Sequence, residues 1–453
     1  MKTETESTPQ TITRRDFIKT SSVAASATAF GVGCGATRLA TAAGTAAAAE
    51  GAARAVGKDV IKVALIGCGG RGTGAARDCL EAAKIANLNV KFTMLADVFA
   101  DRQTRGREEL SKLGVEVSAE GCLIGFDAYK KVMESDADLV LLATPPNFRP
   151  SHFAAAIAAG KHVFMEKPVA VDPPGCRAII EAGKQADAKK LSVVAGTQRR
   201  HERGYLSVAQ AIQDGAIGKI LGGTIHFCLG GGGPGLKPAE TPDWEWMIRH
   251  WGGWCELSGD HIVEQHVHSI DVMNWFLGTH PISCVSFGGR AKRKGGNMYD
   301  FFSSDYEFPG GVHIHSMCRQ VNGTWSRVGQ LFRGEKGIVD LQGLVAADRT
   351  YVGGADRKSR LTPPKIEGNA NSYIQEHADL LTSIIAGKPI NEAQAIAEST
   401  LTAIMGRISA YTGELVTWDD MMESTFACAP SAADFVAGTV KMPPEIPPLP
   451  GKA

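Results

Sequence analysis

Val60-Ile61-Lys62-Val63-Ala64-Leu65-Ile66-Gly67-Cys68-Gly69-Gly70-Arg71-Gly72 decides the fold of this chain. Its apolar opening reads as a buried strand, GxGxxG follows at once, and residues 73–83 carry a helical pattern. The first glycine allows a tight turn, the second lets the backbone approach a pyrophosphate, and the third permits close helix packing. Phosphates would sit at the helix N-terminus, where unpaired N–H groups and the helix dipole favour negative charge. Gly67, Gly69, Gly70, Arg71 and Gly72 are therefore read as cofactor-binding. A second strand over residues 90–96 ends in Asp97. An acid at that place bonds the adenosine ribose hydroxyls and repels a 2′-phosphate, which favours NAD over NADP. Arg102 works against that preference without reversing it.

Working outward, strand and helix patterns alternate, which predicts a doubly wound parallel sheet in an α/β fold. Residues 138–144 read as a strand whose end places Thr144 and Pro145 on the cofactor cleft. A helix over residues 151–159 carries His152, a further cofactor-binding candidate, and another helix reads from about Pro173 to Ala188. The strand Lys161-His162-Val163-Phe164-Met165 then delivers Glu166-Lys167-Pro168 to its carboxyl end, where ligands bind in open α/β sheets. From residue 219 the pattern changes to longer runs, 220–229, 282–292 and 312–318, with glycine turns between them. These predict a C-terminal α/β domain with a large, mostly antiparallel open sheet. Residues 373–386 and Ala393–Thr412 read as closing helices, and the Pro-rich last twenty-odd residues as extended chain. The predicted division is 1–57 signal and linker, 58–196 nucleotide domain, 197–412 substrate and oligomerisation domain, and 413–453 C-terminal extension.

The chain has 453 residues, enough for two domains, and its 48 basic and 48 acidic side chains cancel. That balance supplies no basic field for nucleic acid. No apolar run approaches the about 20 residues of a membrane span. Thr13-Arg14-Arg15-Asp16-Phe17-Ile18-Lys19, before an alanine-rich apolar stretch, resembles a twin-arginine export signal. The resemblance implies export of an already folded protein to the periplasm or cell envelope, with cleavage among the alanines of residues 40–49. A lipid anchor at Cys34 is the disfavoured alternative, because Gly31 suits it poorly. The ten cysteines stand singly, without CxxC or metal spacing.

Gly259-Asp260-His261-Ile262-Val263-Glu264-Gln265-His266-Val267-His268-Ser269-Ile270-Asp271 is the run richest in titratable groups. Taken as one helix, it aligns His261, Glu264, His268 and Asp271 in a polar stripe on an otherwise apolar surface, as expected of a helix facing a cleft. His266 lies off the stripe and reads as a core histidine. The spacing does not match HExxH, so no metal is assigned. General acid/base chemistry fits better: His268 takes a hydroxyl proton, Glu264 orients it or holds substrate, and Lys167 stabilises a developing alkoxide. Trp244, Trp246, Trp251 and Trp254 suit either a carbohydrate pocket or a packed aromatic corner. Trp251, His201, Tyr205 and His261 are the substrate-contact candidates.

The glycine turn, Thr144-Pro145-Pro146, Gly160-Lys161-His162-Val163, Glu166-Lys167-Pro168 and His268-Ser269-Ile270-Asp271 together resemble the Gfo/Idh/MocA oxidoreductases. The resemblance runs from about residue 58 to 412, and its Lys-His-Val-x-x-Glu-Lys-Pro run is the most specific part. It implies NAD(P)-linked oxidation of sugars or cyclitols, a homo-oligomer built through the open sheet, Lys167 on the reacting hydroxyl and His268 as acid/base. Many members place an aspartate four residues before that histidine, with glycine between. Here Glu264 and His266 hold those positions, which alters substrate placement or marks another reaction. A second reading is a glycoside-cleaving enzyme with bound, internally recycled NAD, although the Tyr-Pro-Thr-His run of that branch is missing. A non-catalytic sugar or nucleotide sensor ranks third.

Overall fold

The computed structural model describes residues 57–343, 350–444 and 450. The twin-arginine segment with Arg14, Arg15 and Cys34 lies outside the described residues. The first sheet comprises β1 (Ile61–Ile66), β2 (Val90–Asp97), β3 (Cys122–Ile124), β4 (Leu139–Leu142), β5 (His162–Met165) and β6 (Val193–Ala195). Its order is β3-β2-β1-β4-β5-β6, with every pair parallel. Between them run α1 (Gly70–Ile85), α2 (Ala100–Ser111), α3 (Ala128–Glu134), α4 (Arg149–Ala158) and α5 (Pro173–Ala188). Strand residues alternate between two apolar cores, Ala64 and Ile66 in one, Val63 and Leu65 in the other. Both faces are thus covered, which is why β4 and β5 read as unbroken apolar runs. The strand order reverses on either side of β1, and that switch point opens a crevice at the carboxyl ends. Helix α5 begins where the sequence predicts, because Pro173 follows Asp172 and the Asp172 side chain accepts from the Gly175 N–H at 2.9 Å.

The second sheet comprises β7 (Ile220–Leu229), β8 (Ser283–Gly289), β9 (Phe301–Phe308), β10 (Val312–Gln320), β11 (Arg327–Gly334), β12 (Ile338–Gln342), β13 (Thr350–Gly353) and β14 (Val416–Thr417). Its order is β13-β12-β11-β7-β10-β9-β8-β14. Among the described residues only the β7–β10 pair of this sheet is parallel. The remaining helices are α6 (Arg203–Gln213), α7 (Asp243–Arg249), α8 (Cys255–Ser258), α9 (His261–Glu264), α10 (Val267–Leu277), α11 (Ser372–Ala386), α12 (Ala393–Thr412), α13 (Trp418–Glu423) and α14 (Ala432–Ala437). One sheet face packs on α10 and α12 through Phe227, Ile314, Tyr306, Ile270 and Leu401. The other face leaves Phe287 72% exposed. Helix α11 returns to the first sheet, where Leu380, Leu381 and Ile384 share a core with Val63 and Leu65. Among the described residues no helix is long and apolar enough to cross a membrane.

Two expectations are corrected. The run 259–271 is two helices rather than one. Gly259 and Asp260 both have positive φ, +81° and +76°, so no helix passes through them. The strained Asp260 is held by the Tyr299 N–H at 3.0 Å and the Tyr411 hydroxyl at 2.7 Å. Farther on, the His266 N–H reaches five residues back to the His261 carbonyl at 3.1 Å, and α10 starts afresh at Val267. Such a widened turn rotates everything beyond it relative to α9. The last twenty-odd residues are not wholly extended either, since α14 lies among them. Ser431 and Asp434 form a capping box that starts it.

Candidate active site

Two glycines of the turn are required by the fold itself, and a third is not. Gly67 has φ +95°, and a Cβ there would lie 2.7 Å from the Ala143 carbonyl carbon. A Cβ on Gly72 would lie 1.8 Å from the Gly67 oxygen, so helix α1 could not pack where it does. Gly69 is extended (φ −69°), and its Cβ would meet only the tip of Arg102, at 3.1 Å. Among the described residues no side chain caps α1, and Gly69, Gly70, Arg71 and Gly72 line a cavity of about 450 Å³. A cradle of backbone with a free helix N-terminus is what an anionic pyrophosphate needs. Asp97 lines the same cavity; it accepts from the Cys68 N–H at 2.7 Å and the Phe99 N–H at 2.9 Å. Its carboxylate therefore ties the turn to the end of β2.

Across the cavity, Lys167 donates to the Glu264 carboxylate at 2.9 Å and also to the Glu264 carbonyl. The two side chains are 11% and 17% exposed, so this ammonium is largely dry and held from two sides. His268 lines the cavity beside them and stacks on Phe227 of β7, with centroids 6.3 Å apart. Burial and the nearby Lys167 charge push the His268 pKa well below its ordinary value, so the imidazole is neutral. Glu166 ties the end of β5 to the glycine turn: it accepts from the Arg71 guanidinium and, at 3.2 Å, from the Lys167 backbone N–H. Arg71 also bonds Asp78 at 3.1 Å and lies over the Tyr373 ring, 5.2 Å from its centroid. Arg149 donates to the Pro168 carbonyl, which pins the peptide after Lys167. His152 stands 3.4 Å from the Thr144 hydroxyl, and burial together with Arg149 lowers its pKa to about 3.

Residues 61–194 match the Gfo/Idh/MocA oxidoreductase family model with its NAD-binding Rossmann fold, and residues 205–340 match the C-terminal domain model of the same family. The chain belongs to the Gfo/Idh/MocA oxidoreductase family. Its similar relatives include inositol 2-dehydrogenase of Klebsiella pneumoniae (strain 342), 32% identical over 36% of this chain and 44% of that protein. Inositol 2-dehydrogenase of Salmonella typhimurium is 26% identical over 48% of this chain and 54% of its own length. The matched part of the chain thus spans about half the length of these curated relatives. Among solved structures, levoglucosan dehydrogenase with NADH and L-sorbose superposes with TM-score 0.65 at 18% identity, covering 80% of this chain and 99% of that one. Aldose-aldose oxidoreductase from Caulobacter crescentus with glycerol gives 0.61 at 16% identity, covering 79% and 99%. These likenesses show the shared fold. The glycine cradle and Asp97 fit the family's NAD.

In this Gfo/Idh/MocA member the structure brings together Gly67, Gly69, Gly70, Arg71, Gly72, Asp97, Thr144, Pro145, His152, Glu166, Lys167, Trp251, Glu264 and His268 on one cavity. Three substrate-contact candidates are not in its lining. His201 is buried between Asp379 at 2.6 Å and Glu392 at 3.2 Å. Burial opposes its charge, but Glu392 and Asp379 prevail and raise its pKa to about 10. The Tyr205 hydroxyl bonds Gln330 at 3.0 Å inside the core. His261 faces Asp260 at 3.1 Å and packs on Phe302, since the break after α9 takes it off the face that carries His268. His266 is a core histidine, 2.6 Å from Ser316. Asp271 is salt-bridged to Arg200 at 2.8 Å. Sequence reasoning missed Gln265, Arg149 and Tyr373, which do line the cavity. Arg149 sits in the first turn after the Thr144-Pro145 strand end, a position that could have flagged it. Gln265 carries no such sign, because only the helix break turns it inward.

Proposed function

We propose that this protein is an NAD-dependent oxidoreductase acting on a hydroxyl of a sugar, glycoside or polyol, with Lys167 and His268 as the catalytic pair. The observation that carries the reading is a dry, carboxylate-held ammonium beside a neutral imidazole, on the cavity that holds the glycine cradle. NAD, when bound, supplies the hydride acceptor. His268, neutral and on the cavity wall, accepts the hydroxyl proton. Lys167 holds the substrate oxygen and stabilises charge developing on it, which is strongest in a water-poor site. Glu264 holds and aims that ammonium, and Glu166 couples its backbone to Arg71 of the glycine turn. Trp251 offers an apolar face to sugar C–H groups. Asp97 at the end of β2 supports NAD over NADP.

The test is formation of reduced nicotinamide by purified protein given NAD and a panel of inositols, aldoses and anhydrosugars. Turnover on at least one is expected. Tight NAD binding with no turnover on any of them, and no glycoside cleavage without added NAD, would sink the catalytic reading.

Arg14-Arg15 with the following Phe17 and Ile18 supports export by the twin-arginine route. Replacing both arginines by lysine should leave the protein in the cytoplasmic fraction; unaltered fractionation would discard the signal. The open face of the second sheet, with Phe287 72% exposed and Phe301 39%, supports a homo-oligomer. Light scattering of Phe287→Lys should report a smaller particle than the parent.

A further inference from the structure

The adenosine side of the cleft, marked by Asp97, is walled by aromatics that follow the strand ends: Phe99 after β2, Phe126 after β3 and Phe148 before α4. Two segments from elsewhere in the chain close over them. The first is α7. Its Trp244 stacks on Phe99 with centroids 6.1 Å apart and planes at 9°, and meets Phe126 edge-on at 5.8 Å. Its Arg249 lies 3.9 Å from the Phe99 centroid and makes two 3.1 Å bonds to Asp101.

The second segment is the C-terminal tail, which lies beyond both regions that match the family models. Arg177 of α5 holds the carbonyls of Met421 at 3.0 Å and Ser424 at 2.7 Å. Asp172 then accepts from the Cys428 N–H at 3.1 Å. Past these anchors the capping box starts α14, which puts Ala432 on the cavity itself. Phe435 is 1% exposed, with its ring 5.7 Å from Phe126 and 5.2 Å from Phe148. Val440 joins the same apolar cluster, and the Met442 N–H reaches Asp243 of α7 at 3.3 Å. The tail thus fastens to the nucleotide domain at one end and to α7 at the other, crossing the mouth between them.

We propose that residues 424–442 are a strap that locks the adenosine side of the cleft and sets how slowly NAD leaves. The proposal rests on the NAD reading above but not on the identity of any substrate. Release requires the strap to lift, which exposes the Phe435 ring to water. Release therefore scales with the small open fraction, and whatever destabilises the closed strap speeds it in proportion.

The test is stopped-flow measurement of NADH dissociation, read as energy transfer from tryptophan to the nicotinamide. Three variants are compared with the parent: the chain ended after residue 430, Phe435→Ala in the full chain, and Val436→Ser. Melting temperature establishes that each is folded. Truncation and Phe435→Ala are expected to speed release about 30-fold, the effect of losing one buried phenyl ring from a closed state. Val436, 59% exposed on the same helix, is expected to leave the rate unchanged. Unchanged release in folded Phe435→Ala overturns the strap, and so does equal acceleration by Val436→Ser. If the truncated chain does not fold, Phe435→Ala alone decides. An intact protein that fails to bind NADH overturns the NAD reading itself, a result separate from any change in release.

Discussion

Lys167→Ala is expected to lower kcat by about 10²–10³-fold while NAD binding stays within a few-fold of the parent, because removing a donor aimed at developing charge costs on this order. The ammonium touches Glu264 and faces the cavity, whereas the nucleotide cradle is built by Gly67, Gly69 and Gly72. Lys167→Arg does not restore the rate. A planar fork cannot occupy the pocket in which a single nitrogen donates to both the Glu264 carboxylate and its carbonyl. The pH profile separates catalysis from packing. Burial and Lys167 hold the His268 imidazole below its ordinary 6.5, so a base that must be neutral works at and below that pH. In the parent, kcat/KM should stay level as pH falls through 6.5 and drop only lower down. In Lys167→Ala the charge that depresses His268 is gone, and the acid limb should move up. Steady-state kinetics across pH check both. An undiminished kcat in Lys167→Ala would remove Lys167 from the chemistry, and identical acid limbs would leave burial as the main cause of the depressed His268 pKa.

Gly72→Ala destabilises the fold by about 3 kcal/mol or more and abolishes NAD binding, since its methyl would sit 1.8 Å from a backbone oxygen that cannot step aside. Gly69→Ala behaves differently. Its backbone is extended and its methyl meets only a flexible guanidinium, so the protein alone tolerates it. Stability should stay within about 1 kcal/mol, yet NAD affinity should fall sharply, because the methyl fills the space a pyrophosphate would approach. Denaturant unfolding and NADH titration on the two variants test the distinction. Equal stability of Gly72→Ala and the parent would contradict the packing, and unimpaired NADH binding by Gly69→Ala would contradict the placement of the phosphates.

Much of this was legible in the chain. The strand–turn–helix of β1 and α1 is local, and so is the acid closing β2. Helices α5 and α12 were read with the right ends because their punctuation is local: Asp172 and Pro173 begin one, and Gly413 with φ +76° ends the other. What misled was equally specific. A five-residue hydrogen bond at His266 has no compositional signature, yet it divides His261, which enters the core, from Glu264 and His268, which line the cavity. His201 follows a strand end, the usual place of a substrate contact, but its partner Asp379 is 178 residues away. The tail's prolines favour extended chain, but the Ser431–Asp434 capping box starts a helix among them.

Two sheets of different type, a nucleotide cradle after β1 and Lys167 just past a strand on the cleft side are all written in local patterns of the chain. Period, turn chemistry and motif spacing act over a few residues and need no partner. Which titratable groups meet is instead a property of the packed fold. Ion pairs such as Lys167 with Glu264, 97 positions apart, arise when separate elements pack. Burial then sets their charge states, and neither the approach nor the burial is a property of any short stretch of chain.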